Sequence, residues 1–202
     1  MSLLFETIRI VDGIIQNADL HIERINRSRA ELKLSTEQIT NLDFIEIPKI
    51  YRQGLVKCRF SYDKQFDTPT FEFYTARTIN TLQLVNADDI RYDYKFTDRE
   101  AILNLKHKNA HADEILIIKH GFVTDTSFSN IVLYNGTKWI TPSNPLLPGT
   151  MRNYLLKNKK ISDAFIRTSD LQHYKRIMLI NAMLPPDMGS SIAISQLLPE
   201  IA

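Results

Sequence analysis

The sequence has a single cysteine, Cys58, so no internal disulfide is open to it. Its 202 residues must be held by packing and hydrogen bonds, and a chain of that length buries a sizeable core as one large domain or two small ones. No apolar run reaches the roughly 20 residues needed to span a bilayer, which argues against a membrane partner. The opening stretch, MSLLFETIRIVDG, carries Glu6 and Arg9 among its apolar residues and then turns, so it lacks the unbroken apolar centre of a secretory signal. A reducing, cytoplasmic setting is therefore expected. Glycine is scarce at six residues, and Gly121, Gly136 and Gly149 stand isolated, which removes the Gly-rich phosphate loops of kinases, GTPases and nicotinamide enzymes. Nor does one sign of charge dominate: 25 Lys and Arg against 23 Asp and Glu leave a formal +2, too balanced for the footprint of a nucleic-acid binder. What remains is small-molecule chemistry or protein contact.

What is present reads as mixed α and β structure. Leu4 to Ile10, the turn dipeptide Asp12-Gly13 and then Ile14-Ile15 predict an opening β-hairpin. Ile22, Ile25 and Leu32 recur at helical spacing, and Ser35 and Thr36 offer a further N-cap, so two short helices are expected across residues 20 to 52. Leu55 to Tyr62, Pro69 to Thr75 and Thr81 to Val85 are β-rich. Thr97 with Glu100 forms a capping-box pattern, so a helix is expected to start just after Lys95. Strands are expected at Glu114 to Lys119, Asn130 to Tyr134, Lys138 to Ile140, near Phe165 and at Ile177 to Ile180, with Asn135-Gly136 as a type I′ turn and a short helix after Pro148-Gly149. Asn86 to Asp89 is the expected seam. The expected division is a small N-terminal α+β domain over residues 1–87 and a larger, β-rich α/β domain over residues 88–202.

His107 and His111 stand four apart with Asp113 nearby, but their segment is basic and lies at a helix end, where His and Lys suit the dipole. No metal site is expected. What stands out is an ordered series: His21-x-x-Arg24, Lys95-Phe96-Thr97-Asp98-Arg99, Ala112-Asp113-Glu114, Val123-Thr124-Asp125-Thr126-Ser127-Phe128-Ser129-Asn130, Trp139-Ile140-Thr141-Pro142 and Leu147-Pro148-Gly149-Thr150-Met151-Arg152. Each motif alone is weak; their order and spacing from Phe5 to about Pro185 are specific. The series resembles the class IV aminotransferase family, the fold-type-IV pyridoxal-phosphate enzymes.

That resemblance implies pyridoxal 5'-phosphate as cofactor, a homodimer and a role for each matching residue. Two lysines compete for the covalent link to the cofactor. In the family a helix lies between that lysine and the Asp-Glu strand; Lys106 is seven residues before Asp113 and leaves no room for it, whereas Lys95 is eighteen before and does. Lys95 is the choice, with Arg99 four residues on as in the lyase-like members. Such a lysine must lose its proton to attack, and must then act as a base at the substrate carbon. Asp125 falls where the family places a Glu beside the pyridine nitrogen, which stays protonated only next to a carboxylate. Arg24 matches the arginine that holds the phosphate, Gly149, Thr150 and Met151 open a helix whose N–H groups suit an anion, and Asn181-Ala182 matches a second phosphate-touching pair. Met151 departs from the usual Thr. Arg59 resembles an arginine that some relatives aim at the substrate carboxylate. Within the family the Lys-x-x-x-Arg spacing, Ala-Asp-Glu and the compact opening favour a 4-amino-4-deoxychorismate lyase, giving 4-aminobenzoate and pyruvate for folate. An aminotransferase for a branched-chain or D-amino acid is the alternative, and a shortened binding protein without catalysis a third.

Overall fold

The computed structural model describes residues 3–186 and 191–199. The chain divides into two compact units, residues 1–76 with 94–98, and residues 77–93 with 99–202. The sequence alone placed one division at 87/88. The chain instead crosses to the second unit for residues 77–93 and comes back, because 94–98 is drawn to the edge of the first strand. Phe5 N donates to Lys95 O at 3.0 Å and Thr97 N to Leu3 O at 3.0 Å, with Leu4 bridged to Phe96.

The first unit is α+β. Strand β1 (Leu4–Val11) turns through Asp12 and Gly13, both at positive φ (48° and 78°) as a type I′ turn requires, into the short β2 (Ile14–Ile15). Helix α1 (Ala18–Glu31) follows, then β3 (Leu55–Tyr62) and β4 (Thr70–Phe73), in the antiparallel order β2-β1-β3-β4. Strand alternation sends Leu4, Ile8 and Ile10 to one face, where they meet Val56, Cys58, Phe60 and Tyr62 of β3 and Ile25 of α1 in the core. Burial pushes the Cys58 thiol up to about 12, so this cysteine is inert packing.

The expected second helix before residue 52 does not form. Residues 32–48 run irregularly to a single 3-10 turn at Lys49–Tyr51. Side chains of α1 replace the helical ladder there: Asn26 Nδ2 donates to Ile39 O (2.8 Å) and Asn26 Oδ1 accepts from Ile39 N (2.9 Å), while Arg29 donates to Glu37 O and Lys64 O. Leu42 and Ile45 are buried by this path.

The second unit holds two sheets. One has the order β13-β5-β6-β7, from β5 (Leu82–Asn86), β6 (Glu114–Lys119), β7 (Phe122–Thr126) and β13 (Leu197–Leu198). The other has the order β10-β9-β8-β11-β12, from β8 (Asn130–Tyr134), β9 (Trp139–Pro142), β10 (Ser162–Ala164), β11 (Arg176–Ile180) and β12 (Ile192–Ala193). Leu116, Ile118, Val123, Ile131, Leu133, Ile177 and Leu179 are central to a shared core. Helix α2 runs Glu100–Lys108, with Arg99 as its N-cap, rather than starting beside Lys95; the Thr97 N–H and hydroxyl both donate to Leu3 O, which ties that residue to the first strand. Asn135-Gly136 is not a type I′ turn: only Gly136 has positive φ (103°), and Asn135 Oδ1 accepts from Thr137 N and Lys138 N in an Asx turn. Helix α3 (Thr150–Lys157) packs Met151 and Leu155 against Val132, Met178 and Ile180. No helix among the described residues is long and apolar enough to cross a membrane.

Candidate active site

In the first unit, β1 presents chemistry on both faces. Phe5 lies on the face opposite the core, and the ladder sets Thr7 opposite Arg59 of β3 on that same side. The Arg59 guanidinium sits 3.9 Å from the Phe5 ring centroid and Lys95 Nζ 4.5 Å from it. An amine and a guanidinium thus share one aromatic ring, a contact worth about 0.5–2 kcal/mol for each cation. Lys106, the competing lysine, lies in α2 of the second unit, where its Nζ donates to Ala112 O at 2.8 Å and closes the helix end.

On the core face sits Glu6, fully buried at the same parity as Leu4, Ile8 and Ile10. Arg24 grips it side-on, Nε to Oε1 at 2.8 Å and Nη2 to Oε2 at 2.5 Å, and His21 Nδ1 lies 2.7 Å from Oε2. Burial pushes the Glu6 carboxyl up, but Arg24 and His21 outweigh it and hold the group down at about 2. Burial also pushes His21 below its usual value. A neutral His21 beside a carboxylate, which only accepts, carries its proton on Nδ1.

In the second unit the expected residues gather around Asn130. Asp125, at the end of β7, is buried; its Oδ1 accepts from Asn130 Nδ2 (2.8 Å) and its Oδ2 from Leu147 N (2.9 Å). Burial pushes the Asp125 carboxyl up to about 6, with Leu147 N–H, Asn130 and Arg152 opposing. Asn130 also donates to Leu147 O (2.8 Å) and accepts from Gly149 N (3.1 Å), so one side chain pins the loop that opens α3. The first intrahelical bond of α3 runs from Asn153 N to Gly149 O, which leaves the N–H groups of Thr150, Met151 and Arg152 without a helical carbonyl. Thr150 and Met151 are buried, and the Met151 side chain belongs to the core, so only its backbone is available to an anion. Asn181 follows Ile180, which pairs with Asn130 across the β8–β11 ladder, and its Oδ1 accepts from Met183 N and Leu184 N; Ala182 lies in that turn. The Ser127–Ser129 loop is tied down as well: Thr126 Oγ1 accepts from Ser129 N (3.0 Å), Glu114 Oε1 from Ser127 N (3.2 Å), and Arg99 donates to Ser127 O. Among the described residues, no group of three or more His, Cys, Asp or Glu is placed to hold a metal ion. His111 instead contacts Gln83 Oε1 at 3.0 Å.

The family profile described as amino-transferase class IV matches residues 62–185, more than half of the sequence. The chain belongs to the class IV aminotransferase family. Among relatives of this class IV chain, an uncharacterized protein of Haemophilus influenzae Rd is 40% identical over 185 residues, 91% of this chain and 98% of that one. A crystal structure from Haemophilus somnus 129PT, provisionally named a 4-amino-4-deoxychorismate lyase, is 35% identical with a TM-score of 0.82, covering 92% of this chain and 98% of that chain. A hypothetical aminotransferase from Mycobacterium tuberculosis, solved with alpha-ketoglutarate and PMP bound, shares the fold at 15% identity, with a TM-score of 0.73 over 99% of this chain and 84% of its own. The architecture is accordingly the mixed α/β fold of the fold-type-IV enzymes.

Sequence reasoning quoted Glu6, His21, Asn130 and Arg152 without giving them tasks. Glu6 carried a signal: it interrupts an apolar parity, Leu4-x-Glu6-x-Ile8-x-Ile10, and an ionised group on a core face needs a partner. Asn130 carried none, because its partners lie on the β7 and Leu147 segments, 5 and 17 residues away.

Proposed function

We propose that this class IV chain is a pyridoxal-phosphate-dependent lyase that converts 4-amino-4-deoxychorismate into 4-aminobenzoate and pyruvate. The observation that carries the reading is the pairing of Lys95 and Arg59 on the Phe5 ring, which sets a nucleophilic amine beside a receptor for a carboxylate. Each unit carries donor types that suit parts of the cofactor: in the first, the Lys95 amine for its aldehyde and the Arg24 guanidinium for its phosphate; in the second, the Gly149–Thr150–Met151 N–H groups and Asn181-Ala182 for a phosphate and the Asp125 carboxylate for its ring nitrogen. When bound, pyridoxal phosphate would supply an electron sink for charge developing at the substrate carbon. Lys95 Nζ takes the proton from the amino-bearing ring carbon of the substrate, and Arg59 orients a substrate carboxylate while it does so. Asp125, ionised above about pH 6, would hold positive charge at the ring nitrogen. Loss of the enolpyruvyl group leaves an aromatic product, so the step needs no second keto acid and no pocket that admits two substrates in turn. The name given to the Haemophilus somnus relative supports a lyase over an aminotransferase.

The reading also expects a cytoplasmic homodimer acting on a small molecule. Its test is incubation of the cofactor-loaded protein with 4-amino-4-deoxychorismate and no 2-oxo acid. Pyruvate and 4-aminobenzoate should appear in equal amounts, and Lys95→Ala should abolish both. Product formed only from amino acids with a 2-oxo acid acceptor would make the protein an aminotransferase.

A further inference from the structure

Glu6 is the most deeply buried carboxylate of the first unit, and neither cofactor chemistry nor substrate binding has given it a task. It is fully buried, remains ionised down to about pH 2, and both its oxygens are taken: Oε1 by Arg24 Nε, and Oε2 by Arg24 Nη2 and His21 Nδ1. The grip on Arg24 is side-on. It engages the Nε edge of a planar guanidinium and so fixes the rotation of the plane about the side-chain axis, which a single hydrogen bond would not do. The opposite edge of the same plane is turned away from Glu6. His21 and Arg24 stand three apart on α1, both on its buried stripe, so one carboxylate registers the helix against β1 through two side chains.

We propose that Glu6 is a positioning residue for cofactor binding, holding Arg24 in the orientation from which its outer edge grips the phosphate, with His21 bracing the same carboxylate. The inference rests on the pyridoxal-phosphate reading given above. Charge balance alone does not explain the arrangement, because any acid near Arg24 would supply it, whereas a bidentate contact at 2.8 and 2.5 Å sets direction. An unpaired arginine in this buried place would swing to whatever acceptor it met. Around bound metals, losing an outer partner that orients a ligand commonly costs about 10- to 100-fold in affinity, and an effect on that scale is expected for a phosphate held by an oriented arginine.

The test uses the full chain and two probes, pyridoxal phosphate and pyridoxal, titrated by absorbance. Pyridoxal keeps the aldehyde and ring and lacks the phosphate, so the ratio of the two affinities isolates the phosphate contact. Glu6→Gln should weaken pyridoxal phosphate about tenfold or more and pyridoxal less than about twofold. Glu6→Asp keeps the charge and shortens the reach by one methylene, and should lower the ratio too; a ratio equal to wild type in a folded Glu6→Asp protein would show that only charge matters and overturn the positioning role. Should the single variants fail to fold, the swap of both partners for apolar residues, Glu6→Leu with Arg24→Met, removes the buried charges together. That protein should show the same ratio as Arg24→Met alone; a further fall would mean that Glu6 acts on the phosphate site by another route. Wild-type protein that binds neither probe would overturn the cofactor reading itself, whereas wild-type preference for pyridoxal phosphate retained in full by Glu6→Gln would overturn this inference and leave that reading standing.

Discussion

At the scale of single residues, Gly149 and Asp125 show how closely the second unit is fitted around Asn130. A Cβ built on Gly149 would stand 2.1 Å from Asn130 Oδ1, the atom that accepts the Gly149 N–H. Gly149→Ala should therefore destabilise the protein by about 1–3 kcal/mol, read as a lower urea midpoint at unchanged slope. Asp125 gives a pH signature of opposite sign to an ordinary ion pair. Its folded pKa lies at about 6 against the usual 3.8, so between those values the native state holds more proton than the unfolded chain and stability falls as pH rises. The cost is fully present above pH 6 and amounts to ~3 kcal/mol. Melting temperatures of wild type measured from pH 4 to pH 7 should carry that downward component, and Asp125→Asn should lack it. A slope identical in the two proteins would show that Asp125 titrates normally. Glu6 contributes the reverse: its depressed pKa gives stability that is present above the usual 4.5 and lost as pH falls toward 2.

At the scale of elements, the clearest departure from the sequence reading is the stretch after α1, where a helix was expected and Asn26 instead pairs with both backbone groups of Ile39 as a neighbouring strand would. Asn26→Leu should open this stretch, with faster hydrogen exchange at the Ile39 amide and a loss of about 1–3 kcal/mol for the two unpaired backbone groups. Undiminished protection at Ile39 would show that Leu42 and Ile45 hold the segment without it. The strands were legible because their signals are local: the Asp12-Gly13 turn, the apolar alternation of β1 and β3, and the continuous apolar run of β6. The loop was not, because its order comes from Asn26 and Arg29, donors on another element. The α2 start was misplaced for a related reason, since Thr97 is tied through its N–H and hydroxyl to Leu3, a residue 94 positions away, and the helix begins at Glu100. The candidate site divides likewise. Lys95, Asp125 and Arg24 were named as candidates through the family resemblance, whereas the contacts that hold them, Phe5 under Lys95, Asn130 on Asp125 and Glu6 on Arg24, join separate segments of the chain.

At the scale of the whole molecule, the first unit is not one continuous piece of chain. Residues 1–76 form its sheet and helix, and 94–98 close the edge of β1 beside Leu4 and Phe5. A fragment ending at residue 76 therefore lacks both the pairing partner of Leu3 and Phe5 and the Lys95 side chain, and leaves a strand edge exposed to association. Cut at residue 76, the protein should show a concentration-dependent association that a fragment ending at residue 98 lacks, as measured by sedimentation; equal behaviour of the two would mean that the edge is protected by β2 and the preceding residues alone. The same detour fixes an order of events during synthesis. As the ribosome releases the chain, the sheet against which the Lys95 segment docks emerges with its flank open, and it stays open through the whole passage of residues 77–93. The segment bearing Lys95 is the last part of the first unit to emerge, so a nascent chain has released residues 1–76 of that unit before the candidate nucleophile can dock on it.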